Sequence, residues 1–237
     1  MEWRDRGIVL AARRHGESGH LLDVLTAQHG RHGGWLRSVK GLGGALEPGS
    51  DLDLVWRARL PEHLGHWTIQ DSRVRAAVCL DDPRRLGALR AATAVSAAML
   101  PEREPHFAIH SALSVLLDAV VAELDWPPLY VRFELGLLQD LGFGLDLSQC
   151  ALTGASDRLG YVSPKSGRAV TREAGAEWHD KLLVLPAFLT GGDIHAATDK
   201  DVRDGLALTG HFLERHAHGP NRDRLVAARH QLLDLVA

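Results

Sequence analysis

Between positions 52 and 60 the chain alternates. Leu52, Leu54, Trp56, Ala58 and Leu60 interleave with Asp53, Val55, Arg57 and Arg59, and a period of two marks a half-buried strand. Shorter runs at 8–14, 20–26, 35–39 and 66–70 read as further strands, with Gly16, Gly19, Gly30, Gly33 and Gly34 as turns between them. Five short strands in roughly 75 residues predict a small closed or nearly closed barrel, most often an OB-fold.

Past residue 80 the period lengthens. Pro83 suits a first helical turn with Asp82 as its cap, and an Ala/Leu-rich run follows to Met99. Pro101 and Pro105 interrupt it. A second helix then carries Ile109, Leu113, Leu116, Val120 and Leu124 on one face. The triplet Trp126-Pro127-Pro128 stops that helix and launches another over 129–141, whose apolar face is Tyr130, Phe133, Leu137 and Leu141 and which ends at Gly142. Residues 151–172 read as an irregular insert, and further helices are predicted over about 174–184, 198–216 and 221–235. The expected class is therefore α+β: an N-terminal five-stranded OB-fold β-barrel over 1–80, then an all-α helical bundle over 81–237 with a turn-rich insert.

Composition narrows the function. The charged fraction of 24% and hydrophobic fraction of 45% are those of a soluble globular protein. No apolar run is long enough to span a bilayer, and the N-terminus lacks a signal-peptide core, so a cytoplasmic protein with no membrane partner is expected. The net charge is −3, but residues 1–78 carry +2 and residues 79–237 carry −5. A mildly basic front on an acidic body fits a local nucleic-acid groove. Cys79 and Cys150 form no metal or redox spacing and read as buried thiols.

The candidate binding residues are the barrel's cations, Arg13, Arg14, Arg37, Lys40, Arg57 and Arg59, with Trp35 as a stacking surface. An OB barrel binds single strands by tracking phosphates with cations and stacking bases on rings. Residues 57 and 59 lie two apart, which on a strand places both on one face. No nucleophile elbow, P-loop or dinucleotide fingerprint is present, so no catalytic residue is assigned and no cofactor is expected. Histidine pairs such as His29/His32, His106/His110 and His216/His218 lack completing ligands and read as surface or satisfied side chains. Asp51/Asp53 and Asp199/Asp201/Asp204 read as a strand's solvent face and a helix's acidic first turn.

The segment RFELGLLQDLGFGLDLSQC at 132–150, then Thr153-Gly154 and YVSPKSGRAV at 161–170, resembles the bacterial RecO family of recombination mediators. The barrel adds Arg14-His15-Gly16-Glu17, Thr26 and Lys40-Gly41. The resemblance implies a non-enzymatic DNA-repair protein that binds single- and double-stranded DNA, anneals strands and helps load the recombinase. It also implies RecR, RecF and the C-terminal tail of single-strand-binding protein as partners, and a nucleoid-associated location.

Tyr130, Arg132 and Phe133 are the matching candidates for the tail, with Arg132 meeting its terminal carboxylate. Two departures stand out. Relatives commonly hold a four-cysteine zinc module where this chain keeps Cys150 alone, followed by Thr153, so no metal ligand set is assigned over 148–172. Relatives also follow the glycine after the third strand with basic residues, whereas this chain reads Leu42-Gly43-Gly44-Ala45-Leu46-Glu47. Two alternatives stay open: a scaffold whose barrel binds protein, and an RNA-binding OB protein. Clustering of the arginines on one barrel face would favour DNA, and scatter would favour the scaffold.

Overall fold

In the computed structural model, which describes residues 1–16, 19–217 and 222–236, five strands close a barrel. They are β1 (Glu2–His15), β2 (Gly19–Thr26), β3 (Gly30–Leu36), β4 (Asp51–Arg57) and β5 (His66–Arg73). Their order around the barrel is β1-β2-β3-β5-β4, every pairing antiparallel except β3 with β5, which meet in parallel at Trp35 and His66. Five strands closed in this way make the OB-type barrel read from the sequence. Long β1 serves two neighbours, β2 and β4, and a bulge between Val9 and Ala11 lets it bend round the closure. Val9, Leu22, Val24, Leu52, Leu54, Trp56 and Trp67 fill the interior.

Two strand expectations change. The third strand is 30–36, not 35–39, and three glycines read as turns lie inside it. A Cβ on Gly34 would stand 2.5 Å from the Trp67 indole nitrogen, so a bare backbone there admits that ring. The fourth strand ends at Arg57, beyond which Ala58 pairs only with the terminal Met1 and the chain bends. Arg59 thus lies off the strand, and its predicted placement beside Arg57 on one face does not hold.

After the barrel come α1 (Pro83–Met99), α2 (Phe107–Val121) and α3 (Trp126–Asp140). Asp82 caps α1 by accepting from the backbone of Arg84 and Arg85, as its sequence predicts. Ile109, Leu113, Leu116 and Val120 are buried on α2, whereas Leu124 lies past its end and is exposed. Pro127 and Pro128 sit inside the first turn of α3 rather than before it. The insert proves to be ordered: β6 (Leu159–Val162) pairs with β7 (Ala169–Thr171) and with β8 (Leu183–Val184).

The helix expected over 174–184 is reduced to one turn, α4 (Arg172–Gly175), and a 3-10 stretch ahead of β8. Gly175 approaches the Tyr161 ring so closely that a Cβ would be 2.6 Å from it, and buried Leu185 donates its backbone N–H to the Gly160 carbonyl at 3.0 Å. The chain closes with α5 (Asp199–His216), which carries a Thr198/Asp201 capping box, and α6 (Arg222–Val236).

The chain divides into two compact units. One holds Met1–Leu124 with the N-terminal part of α6; the other holds Asp125–Ala217 with its C-terminal end. In the first, Arg75 is 1% exposed and donates to Asp51, to Asp118 and to the Gly49 carbonyl, while Arg6 pairs with Asp53. The two aspartates on β4 are therefore neutralised by arginines. In the second, α3 packs on α5, where Thr209 donates to the fully buried Glu134. No helix among the described residues is long and apolar enough to cross a membrane.

Candidate nucleic-acid interface

Arg37 and Lys40 follow the end of β3 and are exposed. They face Arg57, at the end of β4, and His66, at the start of β5, across a cleft of about 540 Å³. Ser38 and Thr68 add hydroxyls, and Leu36, Trp67 and Ile69 make its base. Neither Arg37 nor Lys40 has an ion-pair partner among the described residues, so both cations are available to a phosphate.

Arg57 differs. It makes a bidentate pair with Glu2, its cross-strand neighbour on β1, at 2.7 and 3.1 Å. That contact holds the Glu2 carboxyl below the usual carboxylate range and raises Arg57. A phosphate approaching Arg57 meets a cation whose charge is already answered. Arg59 lines neither this cleft nor the one described next.

Arg13 and Arg14 belong to a different place. Arg13 pairs in register with Leu21, and Leu21 with Trp35, so Arg13 and Trp35 share one row across the outside of β1, β2 and β3. Trp35 is half-buried, set edge-on to His15 at 5.1 Å and pressed against Gly19, where a Cβ would be 2.1 Å from its ring. It does not line the Arg37–Lys40 cleft. Arg13 and Arg14 together line a second cleft, of about 670 Å³, with Arg90 of α1 and Arg224 of α6. The sequence-predicted cations thus form two groups rather than one: Arg37, Lys40 and Arg57, and Arg13 with Arg14.

The family-matched residues of the barrel have structural duties. Thr26 closes the β2–β3 turn, its hydroxyl donating to the Gly30 carbonyl and accepting from the His29 backbone. Gly41 takes a positive φ of 83° just after Lys40. Glu17 and His218 lie outside the described residues, as does the start of the predicted 221–235 helix.

In the second unit, Arg132 is exposed on α3 and its guanidinium donates to the Phe188 carbonyl at 2.7 and 3.2 Å. It borders a shallow pocket of about 340 Å³ with Leu135, Gly136, Gln139 and Leu189. Tyr130 and Phe133 do not border it. They are 1% and 4% exposed and belong to the core, because the α3 face that carries them is the one that packs inward. Leu135 and Leu189 are the apolar neighbours that the sequence reading missed. Leu135 sits three residues after Arg132, the spacing that puts both on one helix surface.

Cys150 is 1% exposed, and its sulfur accepts from the Thr171 backbone at 3.3 Å. Burial works against its thiolate, but hydrogen bonds from Thr153, Thr171 and Leu152 outweigh this and lower the thiol to about 6. The loop is thus built around one sulfur ringed by donors, and no cluster of metal-ligating side chains occurs among the described residues.

Comparison with known proteins agrees with this architecture. Residues 1–74 match the family model "Recombination protein O N terminal" and residues 80–225 match "Recombination protein O C terminal". The chain is 48% identical to the DNA repair protein RecO of Rhodospirillum rubrum, over 99% of this chain and 96% of that one. It is 47% identical to RecO of Cereibacter sphaeroides, over 100% and 99%. With RecO of Rhizobium etli the identity is 46%, over 97% and 90%.

Proposed function

Since the chain belongs to the RecO family of DNA repair proteins, we propose that it acts without catalysis as a recombination mediator: it binds DNA along its barrel and promotes annealing of complementary strands. The predicted arginines do not gather on one barrel face, so the observation that carries this reading is a local one: Arg37 and Lys40, both without ion-pair partners among the described residues, line one groove. Annealing needs only neutralised phosphates and bases held close together, with no reading of sequence. Two uncompensated cations make a light grip, and the uncharged continuation from Leu42 to Leu46 adds none. Binding is accordingly weak, with a shallow slope of log affinity against log salt, about −1.4 for two phosphates of a single strand. In a stopped-flow assay of two complementary labelled oligonucleotides, the protein should accelerate duplex formation at low salt without nucleotide or metal. Annealing at the protein-free rate, under conditions where the strands are bound, would remove this function.

Arg132 and its pocket support a partner contact of the kind the family resemblance implies, with the C-terminal tail of single-strand-binding protein. The guanidinium is pre-oriented by the Phe188 carbonyl, and Leu135 and Leu189 offer apolar contact beside it. Arg132→Glu should weaken tail-peptide binding by at least about tenfold, because a charge-assisted contact becomes a repulsive one. DNA binding should survive the change. Peptide affinity equal to the wild type, measured by fluorescence anisotropy, would remove Arg132 as the anchor. RecR and RecF complete the proposed partner set on the resemblance alone.

A further inference from the structure

The second cleft of the first unit has a chemistry of its own. Its apolar lining is of small and aliphatic side chains, Ala11, Ala97 and Ala228 from β1, α1 and α6 with Leu10, Val39 and Leu46 beside them. Arg13, Arg14, Arg90 and Arg224 stand around it, against two acids, Asp23 and Glu47. Asp23 is answered by Arg31 at 3.0 Å. Arg90 and Arg224 are exposed and make no ion pair among the described residues. The connection between β3 and β4 lines both clefts, with Arg37, Lys40 and Leu42 on one and Val39, Gly43 and Leu46 on the other.

We propose that this second cleft is a docking site for an acidic peptide segment with small apolar side chains, supplied by a partner protein. Charge complementarity fixes the sign of the occupant: a concave site lined by four arginines and two acids, in which Arg90 and Arg224 make no ion pair among the described residues, concentrates anions. The lining then selects between anionic partners. Single-stranded nucleic acid is gripped by stacking its bases on aromatic rings. No Phe, Tyr or Trp among the described residues lines this cleft, and the ring that does is that of His20. Methyl-lined walls fit alanine- or valine-sized side chains, and a volume of about 670 Å³ has room for a short run of residues rather than a single ion. Because the lining draws on β1, α1 and α6, an occupant would also tie the last helix to the barrel. This inference stands independently of DNA binding in the Arg37–Lys40 groove.

The test uses the full chain and a fluorescein-labelled peptide of alternating aspartate and alanine, with an alternating asparagine and alanine peptide as control. The acidic peptide should bind saturably, and the neutral one at least about tenfold more weakly. Two variants separate charge from shape. Arg90→Glu with Arg224→Glu reverses two cations, while Ala228→Trp fills the cleft and leaves the charges in place. Each should lower acidic-peptide affinity by at least about tenfold, with a melting curve like that of the wild type and unchanged affinity for a single-stranded oligonucleotide. Absence of saturable binding, equal binding of the two peptides, or unaltered affinity in both folded variants would overturn the proposal. So would loss of oligonucleotide binding with peptide binding retained, which would assign the cleft to nucleic acid.

Discussion

Trp56→Ala is expected to lower the unfolding free energy by about 3–5 kcal/mol, the range for deleting a buried aromatic side chain. Trp56 is 1% exposed at the centre of a ring cluster, with Trp3 stacked at 5.4 Å and His32 edge-on at 5.4 Å. Its indole nitrogen donates to the Leu64 carbonyl at 3.3 Å. Gly65 holds a φ of +68° beneath it, and a Cβ there would stand 2.3 Å from the indole. The pocket is therefore shaped by backbone, which cannot collapse into the space an alanine would leave. Some of the cost is the cavity, and some is the removal of the ring–ring attraction. Urea unfolding followed by circular dichroism should show the midpoint falling with little change in slope. Trp56→Phe keeps a ring in place and should cost clearly less. A decrease below about 1 kcal/mol in Trp56→Ala would mean that the barrel core is not organised around this residue.

Much of this fold is legible along the chain because its determinants are local. The alternation of Leu52, Leu54 and Trp56 does describe an inward face, and Asp82-Pro83 does open a helix where an N-cap and an N1 proline belong. What the sequence conceals is set by residues distant along the chain. Gly33 and Gly34 look like a turn until Trp67, more than 30 positions later, is seen to occupy the space a side chain on Gly34 would fill. Arg57 looks like a phosphate ligand until β1 pairs with β4 and brings Glu2 against it. The insert looks irregular because β6, β7 and β8 are two to four residues long, too short to show a period.

The candidate sites follow the same rule. The apolar face of α3 is correctly read from Tyr130, Phe133 and Leu137, but periodicity alone does not say whether such a face meets core or partner. Burial assigns Tyr130 and Phe133 to the core and leaves Arg132 at the surface. Arg37 and Lys40 are legible as cations following a strand. Their separation from Arg13 and Arg14 depends on how the β3–β4 connection lies between the two clefts, which no local pattern encodes.

The groove is tested most directly by reversing the charge of its two uncompensated cations. In a fluorescence titration with a labelled single-stranded oligonucleotide, Arg37→Glu with Lys40→Glu should weaken binding by about 100-fold at low salt, roughly tenfold for each charge-assisted interaction turned repulsive. The slope of log affinity against log salt should flatten by about 0.7 for each phosphate that is no longer neutralised. The weakening should be the same for oligonucleotides of different sequence, because phosphate interactions carry no base information. Arg57→Ala, whose charge Glu2 already answers, should have a much smaller effect. A folded Arg37→Glu/Lys40→Glu protein with wild-type affinity and an unchanged salt slope would contradict the assignment of this groove to DNA.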